Sequence, residues 1–442
     1  MKHIKSYRFA CLCSIPGIII YFALFIYAFI YSESFSHTEA VSLLSEAETY
    51  LLEKTLDEKY PQRKLITGAL PYNVVPAELN VYAESAILID TATGSILYEK
   101  NADEEIPPAS MTKLVEMYVV YEAVENGEVT LDDIVPLPKE CWGINMPHDA
   151  SLMFLAEGQI VTLRELLLGL AIASGNDASI AVANYVAGDM ESFVERMNKV
   201  VEGLGLTNTH FVESSGYSEL NHTTAREFVT FCRVYLNRFP ETIKLYHSQN
   251  VLRYPLEKNL PSYQKDNAES QTITQYNTNK LLGHLEGCDG LKTGFIYESG
   301  YNLEVTAERN GVRFLSVTMK GPGRGSKEGN KYRTHDGTTL MEYAFSSFAD
   351  YRAEKGSHEF TVPVPGGSQK FVRLIPAEDE TLTVPFIFGY SPKQSAEAVQ
   401  VTVKLPQSIY GETECGSQYG QIIYSIGSNI LRTIPLAADR EI

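Results

Sequence analysis

Strand patterns lie on both sides of a long helical stretch in this sequence. Before it, residues 85–90 and 95–98 alternate in polarity around the turn Thr93-Gly94 and predict a hairpin. After it, three more alternating runs follow, at 292–297, 301–308 and 312–319. Strands this far apart in the chain can share one sheet only if the helices between them form an insert. The pattern therefore predicts an α+β domain in which an antiparallel sheet is flanked by helices and carries a helical insert.

The ends of the predicted helices are marked by capping and breaking residues. Apolar residues recur at helical spacing from Met111 to Glu125, and Asn126-Gly127 closes that helix. A capping box at 162–165, Thr-Leu-Arg-Glu, opens the next helix, which breaks at 174–177. Further helices are predicted at 178–186, 188–203, 224–238 and 337–348.

Near residue 358 the pattern changes to short alternating runs separated by proline and glycine. This change predicts a separate, small, sandwich-like β domain at 357–442, which follows the larger domain at 80–352. Its strands are predicted at 360–363, 370–374, 382–388, 398–405, 421–425 and 430–435. The polar segment 240–280 is predicted to consist of loops.

The N-terminus resembles an export signal. Lys2, Lys5 and Arg8 precede an apolar run from Phe9 to Tyr31, which is long enough to cross a bilayer. Residues 1–31 are therefore predicted to be a signal peptide or a membrane anchor, and both alternatives stay open. Either one places the remaining chain outside the cytoplasm, in the periplasm or on the outer face of the membrane. Residues 32–79 are predicted to be an acidic spacer.

Charge and cysteine content exclude several classes of function. The net charge is −18, whereas nucleic-acid binding requires clustered lysine and arginine. Two of the six cysteines lie in the N-terminal run, and the other four are far apart without metal-ligand spacing. No nucleic-acid partner, metal or cofactor is expected, and the sequence does not determine which cysteines pair.

Ser110 and Lys113 form a candidate nucleophile and base. Both stand at the start of the helix predicted from Met111, so a side chain at 113 lies one turn after Ser110 on the same face. Free backbone N–H groups at a helix start can hold an oxyanion. A lysine against apolar surface loses proton affinity and can take the proton of a hydroxyl.

Ser-x-x-Lys alone is weak, because Ser262–Lys265 repeats it by chance in a polar stretch. Two further motifs strengthen the first. Ser174-Gly175-Asn176 lies at the break between two helices, and Lys292-Thr293-Gly294 opens a strand, where its glycine allows a ligand close to the backbone. Three such motifs in this order are characteristic of penicillin-binding proteins and β-lactamases.

Residues around these motifs extend the similarity. The sequences at 108–114, 165–178, 206–211 and 289–294 resemble signatures of low-molecular-mass penicillin-binding proteins of the D-alanyl-D-alanine carboxypeptidase type. This group, peptidase S11, is related to the serine β-lactamases. The resemblance covers about residues 80–350 and implies a β-lactamase/DD-peptidase-like fold. It implies removal of the terminal D-alanine from peptidoglycan pentapeptide stems, with penicillins as covalent inhibitors.

The resemblance also implies a role for each motif residue. Ser110 would attack the peptide carbonyl, Lys113 would accept its proton, and Ser174 would relay a proton to the leaving amine. The implied substrate-binding residues are Asn176, Lys292, Thr293, Gly294, Phe295 and Arg333. Within this set, the N–H groups of Ser110 and Phe295 would form the oxyanion hole, and Arg333 would lie near the terminal carboxylate.

Three departures from the family pattern are visible. Thr278, in Asn277-Thr278-Asn279, replaces a frequent arginine, Phe295 replaces the polar residue that usually follows Lys-Thr-Gly, and Gly337 stands where a serine is usual. Three alternative functions are kept: a serine β-lactamase, a DD-endopeptidase and a catalytically silent penicillin-binding protein of the cell wall. The β-lactamase is disfavoured because Tyr217 occupies the position of the glutamate that deacylates many of those enzymes.

Overall fold

The computed structural model describes residues 44–59, 61–387 and 389–441. Its helices are α1 (Glu46–Lys59), α2 (Lys113–Glu125), α3 (Leu163–Leu168), α4 (Asn176–Ala187), α5 (Met190–Gly203), α6 (Ala225–Arg238), α7 (Ala268–Gln271), α8 (Ser326–Ser347) and α9 (Pro392–Glu397). Its strands are β1 (Gly68–Ala69), β2 (Ser85–Asp90), β3 (Ser95–Lys100), β4 (Ile134–Val135), β5 (Val161–Thr162), β6 (Val251–Tyr254), β7 (Ile273–Tyr276), β8 (Cys288–Ile296), β9 (Gly300–Arg309), β10 (Val312–Gly321), β11 (Phe348–Arg352), β12 (Phe360–Pro363), β13 (Phe371–Pro376), β14 (Thr381–Pro385), β15 (Gln400–Lys404), β16 (Gln418–Ile426) and β17 (Asn429–Ala438).

Six strands form the central sheet in the order β1-β3-β2-β10-β9-β8. The hairpin β2–β3 therefore pairs, through β10, with the three strands that follow the helical stretch. Every pairing is antiparallel except that of the short β1 with β3. The prediction of an antiparallel sheet interrupted by a helical insert is confirmed.

The two faces of the sheet bury different hydrophobic cores. Ile87 and Ile89 point toward the helical insert, whereas Ala86 and Leu88 point toward α8. This division follows from the strand period of two, which places successive side chains on opposite faces. The core on the insert side is the larger one and contains the buried apolar residues of α2.

The start of α2 is held by that core. A 3-10 turn at Ala109–Thr112 leads directly into the helix, and both Met111 and Leu114 are completely buried. Ala109 has a left-handed backbone, with φ of 50°. Ser110 thus lies in the first turn of a helix whose depth is set by apolar neighbours.

The break between α3 and α4 supplies the second motif. The predicted capping box is present: the Thr162 side chain accepts from the Glu165 N–H, and Glu165 accepts from the Thr162 N–H. After α3 the chain widens into a π-helix, Gly169–Ala173, and Ser174 then adopts a left-handed conformation, with φ of 58°. That conformation stops the helix and turns the Ser174 side chain out of the helix path.

Two predictions are wrong, one of a loop segment and one of a helix boundary. The segment 240–280 is more ordered than predicted, because it contains a π-helix at Ile243–His247 and the antiparallel hairpin β6–β7. The last helix of the main domain, α8, begins at Ser326 rather than at Gly337.

Part of the predicted spacer packs on the main domain. β1 joins the central sheet, and Leu70, Val74 and Leu79 pack against the core beneath α8. The Arg233 guanidinium, on α6, donates to the backbone oxygen of Lys64 at 3.2 Å. The domain boundaries at 32–79, 80–352 and 357–442 are kept as a proposal, with residues 64–79 treated as covering the main domain.

The C-terminal residues form a second unit around its own apolar core. Its five-stranded sheet has the order β12-β13-β17-β16-β15, and a two-stranded sheet pairs β14 with β11. Buried residues from both sheets, including Val372, Leu382 and Ile434, share the core. A small all-β domain is confirmed, with the addition of α9.

The described ranges include four of the six cysteines and exclude the predicted membrane segment. No helix in the described ranges is long and apolar enough to cross a membrane. The predicted signal or anchor at 1–31 lies outside those ranges, as do Cys11 and Cys13. Cys141, Cys232, Cys288 and Cys415 are free thiols.

Candidate active site

Lys113 is buried next to Ser110. Its Nζ lies 3.2 Å from Ser110 Oγ and donates to Asn176 Oδ1 at 2.8 Å and to the Ser215 carbonyl at 2.5 Å. Burial lowers the pKa of Lys113 to about 8, against the opposing effect of nearby carboxylates. A lysine with this pKa is a competent base near neutral pH, and Ser110 Oγ is within its reach.

Ser174 and Lys292 meet across the cleft. Lys292, on β8, donates to Ser174 Oγ at 2.9 Å and to the Thr293 carbonyl at 3.0 Å. Burial lowers the pKa of Lys292 well below its usual value, and the charges of Lys113 and Arg333 lower it further. Because the hydrogen-bond partners of Lys292 are neutral oxygens, the arrival of an anion such as a substrate carboxylate favours its protonated form.

Thr293 and Thr278 are joined by a hydrogen bond. Thr293 Oγ1 donates to Thr278 Oγ1 at 2.7 Å, which orients the Thr293 hydroxyl. Thr278 stands where an arginine is frequent in the family pattern, and an arginine could not accept this hydrogen bond. The sequence shows the replacement but not its partner, because the two residues lie on separate elements.

Gly294 allows β8 to approach Ser110 closely. A Cβ at this position would lie 2.6 Å from the Pro108 carbonyl and 3.3 Å from the Ser110 nitrogen. The strand therefore runs beside the N–H of Ser110. Phe295, which comes next, is 39% exposed, and its ring packs on Tyr301 with centroids 4.4 Å apart.

Arg333, on α8, packs against Tyr301 of β9, the strand that pairs with β8. It is 8% exposed, donates to Asn330 and has its guanidinium 5.7 Å from the centre of the Tyr301 ring. Burial lowers its pKa to about 10. Its charge acts on Lys292, although no direct hydrogen bond joins the two cations, so Arg333 adds to the positive potential of the anion site.

The loop 213–221 closes the site from the helical side. The Glu213 carboxylate accepts hydrogen bonds from the N–H and hydroxyl of Ser215 and from the Asn221 amide. This arrangement directs the Ser215 carbonyl at Lys113. A Cβ on Gly216 would lie 1.8 Å from the Ala109 carbonyl, so only glycine fits here. No motif in the sequence identified this loop, because its function depends on backbone atoms.

Two further sequence features, the residue at the β-lactamase glutamate position and the second Ser-x-x-Lys copy, have defined places in the structure. Tyr217 donates its hydroxyl to Asp149 at 3.0 Å, and the neighbouring Glu219 is exposed. The chance copy Ser262–Lys265 lies in an exposed 3-10 turn away from the buried cluster. Within the described part of the chain, no cluster of three or more His, Cys, Asp or Glu could hold a metal ion.

Comparison with known proteins agrees with this geometry. A family model described as D-alanyl-D-alanine carboxypeptidase matches residues 73–323, and one described as the C-terminal domain of penicillin-binding protein 5 matches residues 353–442. The first match falls in the main domain and the second in the small C-terminal domain.

Individual relatives cover most of the chain. It is 29% identical over 369 residues to the D-alanyl-D-alanine carboxypeptidase DacF of Bacillus subtilis (strain 168), covering 83% of this chain and 87% of the relative. It is 33% identical over 311 residues to DacC of Escherichia coli (strain K12), covering 69% and 72% respectively. Penicillin binding protein 5 from Haemophilus influenzae superposes with a TM-score of 0.68 at 28% identity, covering 84% of this chain and 99% of that structure.

Proposed function

The chain belongs to the D-alanyl-D-alanine carboxypeptidase family and is a hydrolase of that type, and from this premise we propose how its residues perform the reaction. The substrate is a peptidoglycan pentapeptide stem, and Ser110 forms an acyl-enzyme with release of the terminal D-alanine. The observation that carries the proposal is the 3.2 Å contact between Ser110 Oγ and Lys113 Nζ.

Acylation begins with proton transfer. Lys113 takes the hydroxyl proton of Ser110 while Oγ bonds to the carbonyl carbon of the penultimate D-alanine. The N–H groups of Ser110 and Phe295 hold the resulting oxyanion, in keeping with the close approach of Gly294 to the Ser110 nitrogen. The C–N bond then breaks: Ser174 gives its hydroxyl proton to the leaving amine and takes up the proton that Lys113 had accepted, so both groups return to their starting states.

The substrate is oriented by its terminal carboxylate. Lys292 binds this group, the Thr293 hydroxyl turns its hydrogen from Thr278 Oγ1 to the carboxylate when substrate binds, and Arg333 adds positive potential from α8. Asn176 accepts from Lys113 and keeps the base in place beside the nucleophile. Charge-assisted hydrogen bonds of this kind select a free carboxyl terminus, which is the feature that distinguishes a carboxypeptidase substrate.

Penicillins are expected to acylate the same serine, because their amide carbonyl and carboxylate present the same two groups. Lys113 hydrogen-bonds Ser110, Asn176 and Ser215, none of which is a carboxylate. The Tyr217 hydroxyl is engaged by Asp149. This arrangement supports slow hydrolysis of the penicilloyl-enzyme, unlike the rapid turnover of a β-lactamase.

The site of action follows from the substrate. Peptidoglycan lies outside the cytoplasmic membrane, and the charged and apolar pattern of residues 1–31 supports export of the chain. Cleavage of that segment and its retention as an anchor are both hypotheses. Fractionation of cells followed by N-terminal sequencing distinguishes them.

The function is tested by D-alanine release from an acyl-L-Lys-D-Ala-D-Ala peptide. The wild-type chain should release D-alanine, whereas Ser110→Ala should not. Lys113→Ala should reduce acylation by about 10²-fold or more, because the base is lost while the hydroxyl remains. Ser262→Ala in the exposed chance copy of the motif is the matched control and should leave release unchanged.

Either of two results would contradict the proposal. Acylation of Lys113→Ala at the wild-type rate would remove Lys113 from the role of base. A folded wild-type chain that binds penicillin covalently but releases no D-alanine from the peptide would favour an endopeptidase that requires cross-linked stems.

A further inference from the structure

A second polar layer lies directly beneath the catalytic lysine. The upper layer consists of Lys113 on α2 and two of its hydrogen-bond acceptors, Asn176 on α4 and Ser215 in the loop 213–221. Each of these three elements also contributes one residue to the deeper layer, which consists of Glu116, Ser179 and Ser214. Glu116 and Ser179 each follow their upper partner by one helical turn, so the helix period stacks the layers.

The deeper layer is held by short hydrogen bonds. Ser179 Oγ lies 2.9 Å from Glu116 Oε2 and 2.7 Å from Ser214 Oγ. All three side chains have no solvent exposure. The other carboxyl oxygen, Glu116 Oε1, is buried without a hydrogen-bond partner in the described part of the chain. The carboxyl group is therefore only half satisfied by its surroundings.

Glu116 is a poor choice for packing alone. A buried carboxyl with an unpaired oxygen destabilises a core that an apolar side chain of similar volume would fill more favourably. This destabilisation points to a functional role for the charge or the proton of Glu116. Burial raises the pKa of Glu116 to about 8, and Lys113 opposes this shift. The two groups are thus electrostatically coupled at the point where the reaction moves a proton.

Other charges also face Lys113. Glu213 from the loop and Asp177 from α4 favour its protonated form, although less strongly than Glu116 does. Lys292, from β8, has its own pKa lowered by Lys113, so protonation of one lysine disfavours protonation of the other. The carboxylates Glu213 and Asp177 are already hydrogen-bonded to backbone N–H groups. Glu116 is the one of these three carboxyl groups that retains an unpaired buried oxygen.

We propose that Glu116 is a positioning residue for acylation, whose carboxylate stabilises the ammonium that forms when Lys113 takes the Ser110 proton. In this step the O–H bond of Ser110 breaks, an N–H bond forms on Lys113, and Oγ bonds to the substrate carbonyl carbon. Above the Glu116 pKa of about 8 this carboxyl group is ionised while Lys113 is unprotonated, so Glu116 acts there as an anion and neither gains nor loses a proton in the step. Ser179 holds its carboxyl group in place, and this role rests on the proposed function.

The test is the pH dependence of acylation by a fluorescent penicillin in Glu116→Gln. Lys113 must be unprotonated to act, so acylation falls as the pH drops below the Lys113 pKa. The Glu116 charge favours the protonated lysine and raises that pKa. Its removal should therefore move the acid limb about one pH unit lower, and the plateau rate should decrease because the base is weaker.

Two further variants separate this role from structural damage. Glu122→Gln changes a glutamate in the same helix that pairs with Arg238, and its profile should match the wild type. Ser179→Ala removes the hydroxyl that favours ionised Glu116, so its acid limb should move in the same direction by a smaller amount. Ser179→Ala also provides the test if Glu116→Gln does not fold.

The outcomes for the two proposals are distinct. If the wild-type chain is not acylated at any pH, the proposed function is wrong. If the wild type is acylated but Glu116→Gln has an unchanged acid limb, or one moved to higher pH, the role of Glu116 is wrong. A stability loss with an unmoved profile would likewise assign Glu116 to structure alone.

Discussion

At the scale of single residues, the absence of a side chain at Gly216 keeps Ser110, the proposed nucleophile, in position. Gly216 has a φ of 77°, and a Cβ there would lie 1.8 Å from the Ala109 carbonyl. Ala109 itself holds a left-handed backbone directly before Ser110. The 213–221 loop and the turn that carries Ser110 are thus packed backbone to backbone.

Gly216→Ala should consequently reduce penicillin acylation by about 10²-fold or more, since displacement of reacting atoms by about 1 Å has effects of this size. Gly283→Ala is the matched control, because Gly283 has a φ of 75° but nothing within 4 Å of its Cβ position. It should lose about 1 kcal/mol of stability and keep its acylation rate. Equal acylation in the two variants would contradict the packing argument.

At the scale of elements, Asp177 joins α4 to the segment that borders the cleft. Its carboxylate accepts from the N–H groups of Met153, Phe154 and Leu155 at 2.8–2.9 Å. The neighbouring Asn176 donates its N–H to the Ser151 carbonyl at 2.8 Å. The position of Asn176 therefore depends on a segment that is more than twenty residues away in sequence.

Asp177→Asn should lower the free energy of unfolding by about 1–3 kcal/mol, because an amide nitrogen would face backbone donors. Acylation should also slow, since Asn176 loses support. Asp189→Asn at the cap of α5 is the control and should be nearly neutral, because asparagine caps helices as well as aspartate does. Urea unfolding and acylation rates are the measurements, and similar losses in both variants would contradict the role assigned to Asp177.

The late predicted start of α8 has a physical cause at the same scale. Gly329 and Gly337 lie within this helix, although glycine disfavours helix interiors. A Cβ on Gly329 would lie 2.2 Å from the Tyr301 ring, and one on Gly337 would lie 2.9 Å from Leu281. Both glycines allow α8 to pack closely against other elements. Helix propensity depends on residue type alone and therefore does not reflect this packing.

At the scale of the whole molecule, the two domains are joined by polar contacts. Thr383 donates to Asp90 Oδ2 at 2.5 Å and lies 2.6 Å from the Thr93 hydroxyl. β11 pairs with β14, so the last strand before residue 353 belongs to a sheet of the C-terminal unit. The proposed catalytic residues all lie between 110 and 333, outside this junction.

A fragment covering 61–352 should therefore still be acylated once per folded molecule. A fragment covering 80–352 should be acylated equally but unfold at lower urea concentration, because it lacks β1 and leaves the Arg233 guanidinium without the Lys64 and Ile66 carbonyls. A folded 61–352 fragment without acylation would show that the C-terminal domain contributes to the chemistry.

Local interactions account for what the sequence by itself determined. The spacing of Ser110 and Lys113, the capping box at Thr162 and the hairpin at 85–98 involve residues close in the chain, where helix and strand periods apply directly. The hairpin β6–β7 escaped prediction because its strands are short and separated by eighteen residues. The three motifs indicated the chemistry, but their assembly was an inference from resemblance.

Only the tertiary structure decided how these residues act together. The contact of Ser174 with Lys292 joins positions 118 residues apart. The lowered pKa of Lys113 results from burial, and the Ser215 carbonyl and the Glu116 layer reach the lysine from separate elements. Burial and long-range hydrogen bonds are properties of packing, so residue types and local spacing cannot specify them.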